Sequence, residues 1–451
     1  MPAEIMNRRQ FLTASAGISL TAGIESRAGS NSLTPAISIE DDPERKKRIE
    51  TNQQIQSARQ AALKILKPSN KDLEHGLELH ANSLVVESYG FSPRVAVDGE
   101  KIKAAIEDGA SEIEIKDIRE DMMMTRCVTD AAERREYMDA WEAAGVTSIL
   151  QNAGEEGMAV SWLLKRLARF TYVTDMMSNF VYKAAAPDDI IAAKKQNKHC
   201  LYFSGNGVPI PQDWISVEEE LRFIRVFFQL GVRMMHLTYN RRNVIGDGCG
   251  EPSDGGLSDF GRAVVAEMNR IGLIVDVAHC GWQTSLEAAE VSNRPIVASH
   301  TTCAALHEHI RSKPDNVIRA IVDKGGLIGI CCIPSFLGGK GDIARMMQHI
   351  KYAVKTFGAD HVAIGTDVAY ASRNSARENQ KIPSRRKTRK AWESLWPEGS
   401  LTSGPRESQL SMAWTNWPLF TVGLVQLGLS GSEIQKILGG NVIRVAREVL
   451  T

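Results

Sequence analysis

The chain shows no excess of charge of either sign: 54 Lys and Arg are matched by 54 Asp and Glu over 451 residues. That balance excludes the global basic field on which nucleic-acid binding depends. Its seven cysteines are odd in number and lack CxxC spacing, so neither a disulfide framework nor a zinc ribbon is indicated. Cys331 and Cys332 are adjacent in an apolar run, which points their side chains opposite ways and marks them as buried thiols. Beyond the first thirty residues no stretch approaches the roughly 20 apolar residues of a membrane span. No Gly-rich phosphate loop follows an early apolar run, which argues against a doubly wound nucleotide-binding sheet. No internal repeat or low-complexity block is visible.

Residues 1–30 stand apart. Arg8 and Arg9 precede Phe11, Leu12 and a mildly apolar Ala/Gly/Ser run. This is the layout of a bacterial twin-arginine signal starting at Met6, with cleavage expected between 23 and 31. It implies passage through the twin-arginine export machinery and a periplasmic or other extracytoplasmic location. Residues 31–70 read as a polar lead-in, loose or helical.

The remainder, 71–451, reads as one domain. Eight short runs are apolar or β-branched: 83–89, 145–151, 200–204, 231–239, 271–279, 295–300, 326–333 and 361–367. Continuous apolar runs of this length suit parallel strands buried on both faces. Between them, 131–144, 217–229, 258–270, 282–291, 312–324 and 341–357 carry helical spacing. Ser258 supplies an N-cap for the third of these and Gly272 ends it. Strand–helix alternation repeated eight times predicts a (β/α)8 TIM barrel. An insertion at 373–405 is long, basic and irregular, either a lid over the strand ends or a solvated loop. A helix pair at 430–450 is expected to close the barrel.

Three runs end in groups that bind metals: IGLIVDVAH at His279, RPIVASH at His300 and HVAIGTD at Asp367. Catalytic groups of such barrels collect at the carboxyl ends of the strands. Neutral imidazoles are zinc donors, and Asp367 fits either a third ligand or a base that takes a proton from water. Arg311, after the sixth run, has the fork that grips a carboxylate.

These blocks together resemble the membrane (renal) dipeptidases, zinc-dependent (β/α)8 hydrolases of the amidohydrolase type. The resemblance runs from about residue 79 to the C-terminus through GLSDFGRAVVAEMNR, IVDVAH, PIVASHTT, IRSKPD, HVAIGTD and GGNVIRVAREV. It implies that His279 and His300 bind zinc, that Asp367 binds metal and carries the proton, and that Arg311 holds the substrate carboxylate. It also implies a dipeptide substrate, and homodimers are common among such proteins.

Three positions depart from that family. Its His-x-Asp pair after the first strand falls on Tyr89 and Phe91. Its bridging Glu falls on Asn206, and its substrate His on Tyr239. Two close divalent cations need anionic ligands, so a single zinc on His279, His300 and Asp367 is expected here, with two ions not excluded. Asn206 and Tyr239 are then expected to donate to a developing oxyanion. The candidate replacement ligands are Glu87, which is expected to share a strand face with Tyr89; Asp247, Cys249 and Glu251; and Glu155 and Glu156. A non-ligand role is expected for each, for Cys249 that of a buried thiol in a Gly-rich turn. The expected activity is hydrolysis of dipeptides or a related small amide. Alternatives are a one-metal amidohydrolase with a non-peptide substrate, and a catalytically silent ligand-binding barrel.

Overall fold

A computed structural model describes residues 44–154, 157–384 and 392–450. The twin-arginine segment, Glu155 and Glu156 lie outside the described residues. Eight parallel strands form the central sheet: β1 (Val86–Gly90), β2 (Ser148–Asn152), β3 (His199–Gly205), β4 (Val232–His236), β5 (Ile274–Asp276), β6 (Ile296–Cys303), β7 (Leu327–Ile330) and β8 (Val362–Ile364). Each pairs with the next along the chain. The backbone N of Asp367 lies 3.5 Å from Tyr89 O, and Arg94 bridges Ala371, so β8 comes back to β1. The result is a nearly closed α/β barrel, and each of the eight apolar runs overlaps one of its strands.

Alternation along the strands stacks the interior in layers. Val86, Leu150, Met234, Ile274, Val297 and Leu327 form an apolar layer, closed beneath by Val442, Val445 and Val449 of the helix Asn441–Leu450. One step towards the carboxyl ends the interior turns polar, with Ser88, His236, Asp276 and Ser299. Gly329 and Gly365 stand in the same layer. A Cβ at either would collide with Ser299 O and Ser88 Oγ, so only glycine leaves room for the Ser88 hydroxyl to donate to Ser299 O at 2.8 Å.

The helices follow their sequence signals. Ala131–Ala144, Val217–Gln229 and Trp282–Val291 lie where the spacing puts them. Ser258 Oγ accepts from Gly261 N at 2.9 Å, and Gly272 ends that helix at φ +83°. The lead-in is helical, and Gln53–Leu66 buries Ile55, Ala58, Ala61 and Ala62. Residues 396–400 of the insertion lie over the carboxyl ends: Trp396 is 6.5 Å from the His279 ring and stacks on Phe336 at 5.7 Å. His309 Nε2 contacts Ser400 O at 2.6 Å, holding that segment down. These contacts favour a cover over a solvated loop. No helix among the described residues is long and apolar enough to cross a membrane.

Candidate metal centre

His279 and His300 meet inside the barrel mouth. Their Nε2 atoms are 3.1 Å apart, and the residues are 3% and 0% exposed. His279 Nδ1 faces Asn240 Oδ1 at 3.0 Å, and an amide oxygen only accepts, so the proton sits on Nδ1 and the Nε2 lone pair points inward. His300 Nδ1 faces Ser299 Oγ at 2.9 Å, a hydroxyl that accepts or donates. Burial, then the charge of Arg311, holds both imidazoles well below their usual pKa, so both stay neutral. Two ligands of one tetrahedral zinc, with bonds near 2.0–2.1 Å, stand about 3.3 Å apart. The observed approach fits a shared cation.

Beside this pair lie two groups that the sequence reading passed over, His236 and Asp276. They are directly opposed in the β4–β5 register, both fully buried, with His236 Nε2 2.6 Å from Asp276 Oδ2. That contact lacks the alignment of a hydrogen bond, and both ring nitrogens of His236 and Oδ2 of Asp276 are without a hydrogen-bond partner. Asp276 Oδ1 is occupied, accepting from Ala278 N at 2.9 Å and Ser299 N at 3.1 Å. Burial alone would raise the Asp276 pKa, but His236 and the Ser299 hydrogen bonds outweigh it and hold the carboxylate below its usual range. His236, Asp276 and His300 offer ligand atoms all within 4.8 Å of one another. Orphaned buried donors and acceptors are costly, and a divalent cation satisfies them together. The residues present therefore fit a metal.

The signal for this pair was in the alternation. Met234 and Ile274 face the barrel interior, so His236 and Asp276, two residues on, face it too.

The other expected residues are placed as follows. Asp367 is half-buried after β8 in a left-handed conformation, φ +59°, beside Tyr89, and is not in the convergent His236/Asp276/His300 group. Tyr89 stacks on His300 at 3.9 Å and donates to Asn206 Oδ1 at 2.9 Å, so two of the three family departures are bonded to each other. Tyr239 stacks on His279 at 4.1 Å. Arg311 is wholly buried. It donates to Ala278 O and, at 3.2 Å, to His300 O, while its Nε has no partner.

Glu87 does not share the face of Tyr89. Pairing is irregular between Glu87 and Gly90, so Ser88 and Tyr89 both reach the interior. Glu87 instead accepts from Trp414 Nε1 at 2.8 Å and from Thr366 N at 3.1 Å, and burial pushes its pKa up to about 8. Burial pushes the Cys249 thiol up, and it faces Asn240 Oδ1 at 3.8 Å, as a buried thiol in a Gly-rich turn. Asp247 pairs with Arg242, and Glu251 accepts from Arg242 N at 2.8 Å.

Comparison with known proteins agrees with this architecture. The chain is 27% identical over 282 residues to the dipeptidase tcpJ of Claviceps purpurea, covering 61% of this chain and 57% of that one. It is 28% identical over 232 residues to the dipeptidase aclJ of Aspergillus oryzae, covering 50% and 47%. The chain thus spans about half the length of the curated relatives it matches. Among solved structures, an amidohydrolase from Pseudomonas aeruginosa aligns with TM-score 0.60 and 26% identity over 83% of this chain and 99% of that one. A metallopeptidase from Rhodobacter sphaeroides, solved with a phosphinate mimic of the dipeptide L-Ala-D-Ala, shares the fold at TM-score 0.57 and 14% identity, over 82% and 100%. The model of the membrane dipeptidase family, peptidase family M19, matches residues 77–377, and the chain belongs to that family.

Proposed function

We propose that this chain is a metal-dependent hydrolase of dipeptides or a closely related small amide, working with one zinc ion. The observation that carries the reading is the 3.1 Å approach of two neutral imidazole nitrogens beside a wholly buried arginine that no described carboxylate pairs with. Bound zinc supplies Lewis acidity to the scissile carbonyl and to water. His279 and His300 hold the ion, their rings fixed by Asn240 and Ser299. Arg311, set by two backbone carbonyls, receives the substrate's carboxylate and fixes its register against the metal. Asp367, on the rim, takes the proton from water and delivers it to the leaving amine. Tyr239 and Asn206 line the approach and orient the amide. Trp396 in the insertion limits access of bulk water from above.

The twin-arginine pattern at Arg8 and Arg9 supports export after folding, which suits a protein that acquires its metal in the cytoplasm. A second reading, a non-peptide amide substrate, is favoured by the Tyr89–Asn206 bond and the Tyr239 ring, which remodel the walls of the pocket.

The test is a panel of dipeptides, cyclic amides and lactones assayed with the zinc-loaded protein, with a chelated sample and with His300→Ala. The expected result is a dipeptidase activity that chelation abolishes and His300→Ala lowers by roughly 10³-fold or more. Full activity in His300→Ala would sink the proposal. Turnover confined to the cyclic substrates would move it to the second reading.

A further inference from the structure

We infer that the metal seat of this chain has moved inward and sideways, onto His236 and Asp276 together with His279 and His300, so that three imidazoles and one carboxylate hold a single cation with a fifth position left for water or substrate. This deepens the proposed function, since it assigns the ligands of the same centre.

The argument begins with space. The ring of Tyr89 lies on His300 at 3.9 Å and stands 5.2 Å from the His236 ring, filling that side of the mouth. Asn206, its amide oxygen occupied by the Tyr89 hydroxyl, offers no anion there. On the other side the rings of His236 and His300 are 5.2 Å apart, and those of His236 and His279 5.5 Å, so the three imidazoles surround one volume.

Charge points the same way. A dication in a buried site needs a buried anion. Arg311 and Lys313 are both wholly buried close by, which makes an all-imidazole seat electrostatically poor. Asp276 is the wholly buried carboxylate that converges with His236 and His300, and its Oδ2 is the oxygen left over after Oδ1 has taken two backbone N–H groups.

Satisfaction completes the case. His236 has no hydrogen-bond partner at either nitrogen although it is wholly buried, an arrangement rare in folded proteins. A simple buried His–Asp ion pair would be expected to align its N–H with the carboxylate oxygen, and this contact is not aligned. The ligand atoms of His236, Asp276 and His300 lie within 4.8 Å of one another, and His279 Nε2 adjoins that group 3.1 Å from His300 Nε2.

The experiment uses the full chain, stripped and reloaded with zinc. X-ray absorption at the zinc edge on wild type counts imidazoles in the coordination shell, a measurement that does not depend on any variant folding. Three imidazoles are expected, and two would overturn the assignment. Zinc affinity by chelator competition is then compared in His236→Ala, Asp276→Asn and Asp367→Asn, each checked for folding by circular dichroism. The first two are expected to weaken binding by more than about 100-fold and Asp367→Asn by less than about threefold. The opposite order would also overturn it. A wild type that shows three imidazoles but hydrolyses no dipeptide leaves the ligand assignment standing and ends the dipeptidase reading. Dipeptide turnover on a two-imidazole zinc does the reverse.

Discussion

Arg311 shows how much of the proposed specificity rests on one side chain. Its guanidinium is wholly buried and pinned by the carbonyls of Ala278 and His300, the latter a proposed metal ligand, so charge and metal are held in one rigid frame. Lysine keeps the charge but loses the planar fork that meets a carboxylate at two points. Arg311→Lys is therefore expected to raise KM for dipeptides with a free carboxylate by about 10–100-fold, or about 1.4–2.8 kcal/mol, with a smaller change in kcat. C-terminally amidated dipeptides are the control. Steady-state kinetics on matched pairs checks this, and an equal loss on both members would remove Arg311 from substrate recognition. Lys313, two residues on, points elsewhere: its ammonium donates to Cys280 O at 2.6 Å and Ser285 Oγ at 3.0 Å, and burial pulls its pKa down to about 8. It ties the loop after β6 to the helix Trp282–Val291 and is spent on structure.

At the level of elements, the strands matter because their packing sets what the interior can hold. Ser299, beside His300, can stand in the polar layer only because Gly329 and Gly365 leave the space open. Gly329→Ala places a methyl group against Ser299 O, a backbone atom that cannot move without shifting β6 and His300 with it. The expected cost is about 1–3 kcal/mol or more, seen as a lower denaturant midpoint, together with weaker zinc binding. An unchanged midpoint would show that the layer is looser than these contacts imply. The strands were legible because continuous apolar runs have few other uses in a chain of this size. The terminal histidines were legible because a His closing such a run is conspicuous. His236 was less so, because it lies inside the run GVRMMHLTY: alternation turns it inward, but only the pairing of β4 with β5 reveals that it meets Asp276. Glu87 was misplaced for a related reason: a local irregularity in β1 breaks the alternation that the sequence rule assumes.

For the whole molecule, the histidines away from the site couple folding to pH. His80 is buried, with Nε2 against Ala144 O at 2.9 Å and Nδ1 against Thr421 Oγ1 at 2.8 Å. His349 is buried, with Nε2 against Leu337 O at 2.9 Å and Nδ1 accepting from Cys303 N at 3.2 Å. In each, one nitrogen faces a carbonyl. At His349 the other accepts a backbone N–H, a pattern that only the neutral ring satisfies, while at His80 the Thr421 hydroxyl can accept or donate and burial is what disfavours the charge. Burial first, and nearby Lys194 or Arg345, pull both pKa values down to about 4, against the opposing effect of the carbonyl bonds. An unfolded histidine titrates near 6.5. Between these values the unfolded chain binds more protons than the folded one, so stability rises with pH. The contribution is fully present above about 6.5 and is lost as pH falls towards 4, at up to about 1.4 kcal/mol per pH unit for each ring. His80→Gln cannot titrate, so its urea-unfolding free energy is expected to fall less steeply than wild type across that window, by about one proton's worth of slope. Carboxylates titrate alike in both proteins and cancel in the difference. Parallel pH profiles for the two would mean that His80 takes up its proton equally in both states, and that burial does not hold the ring neutral.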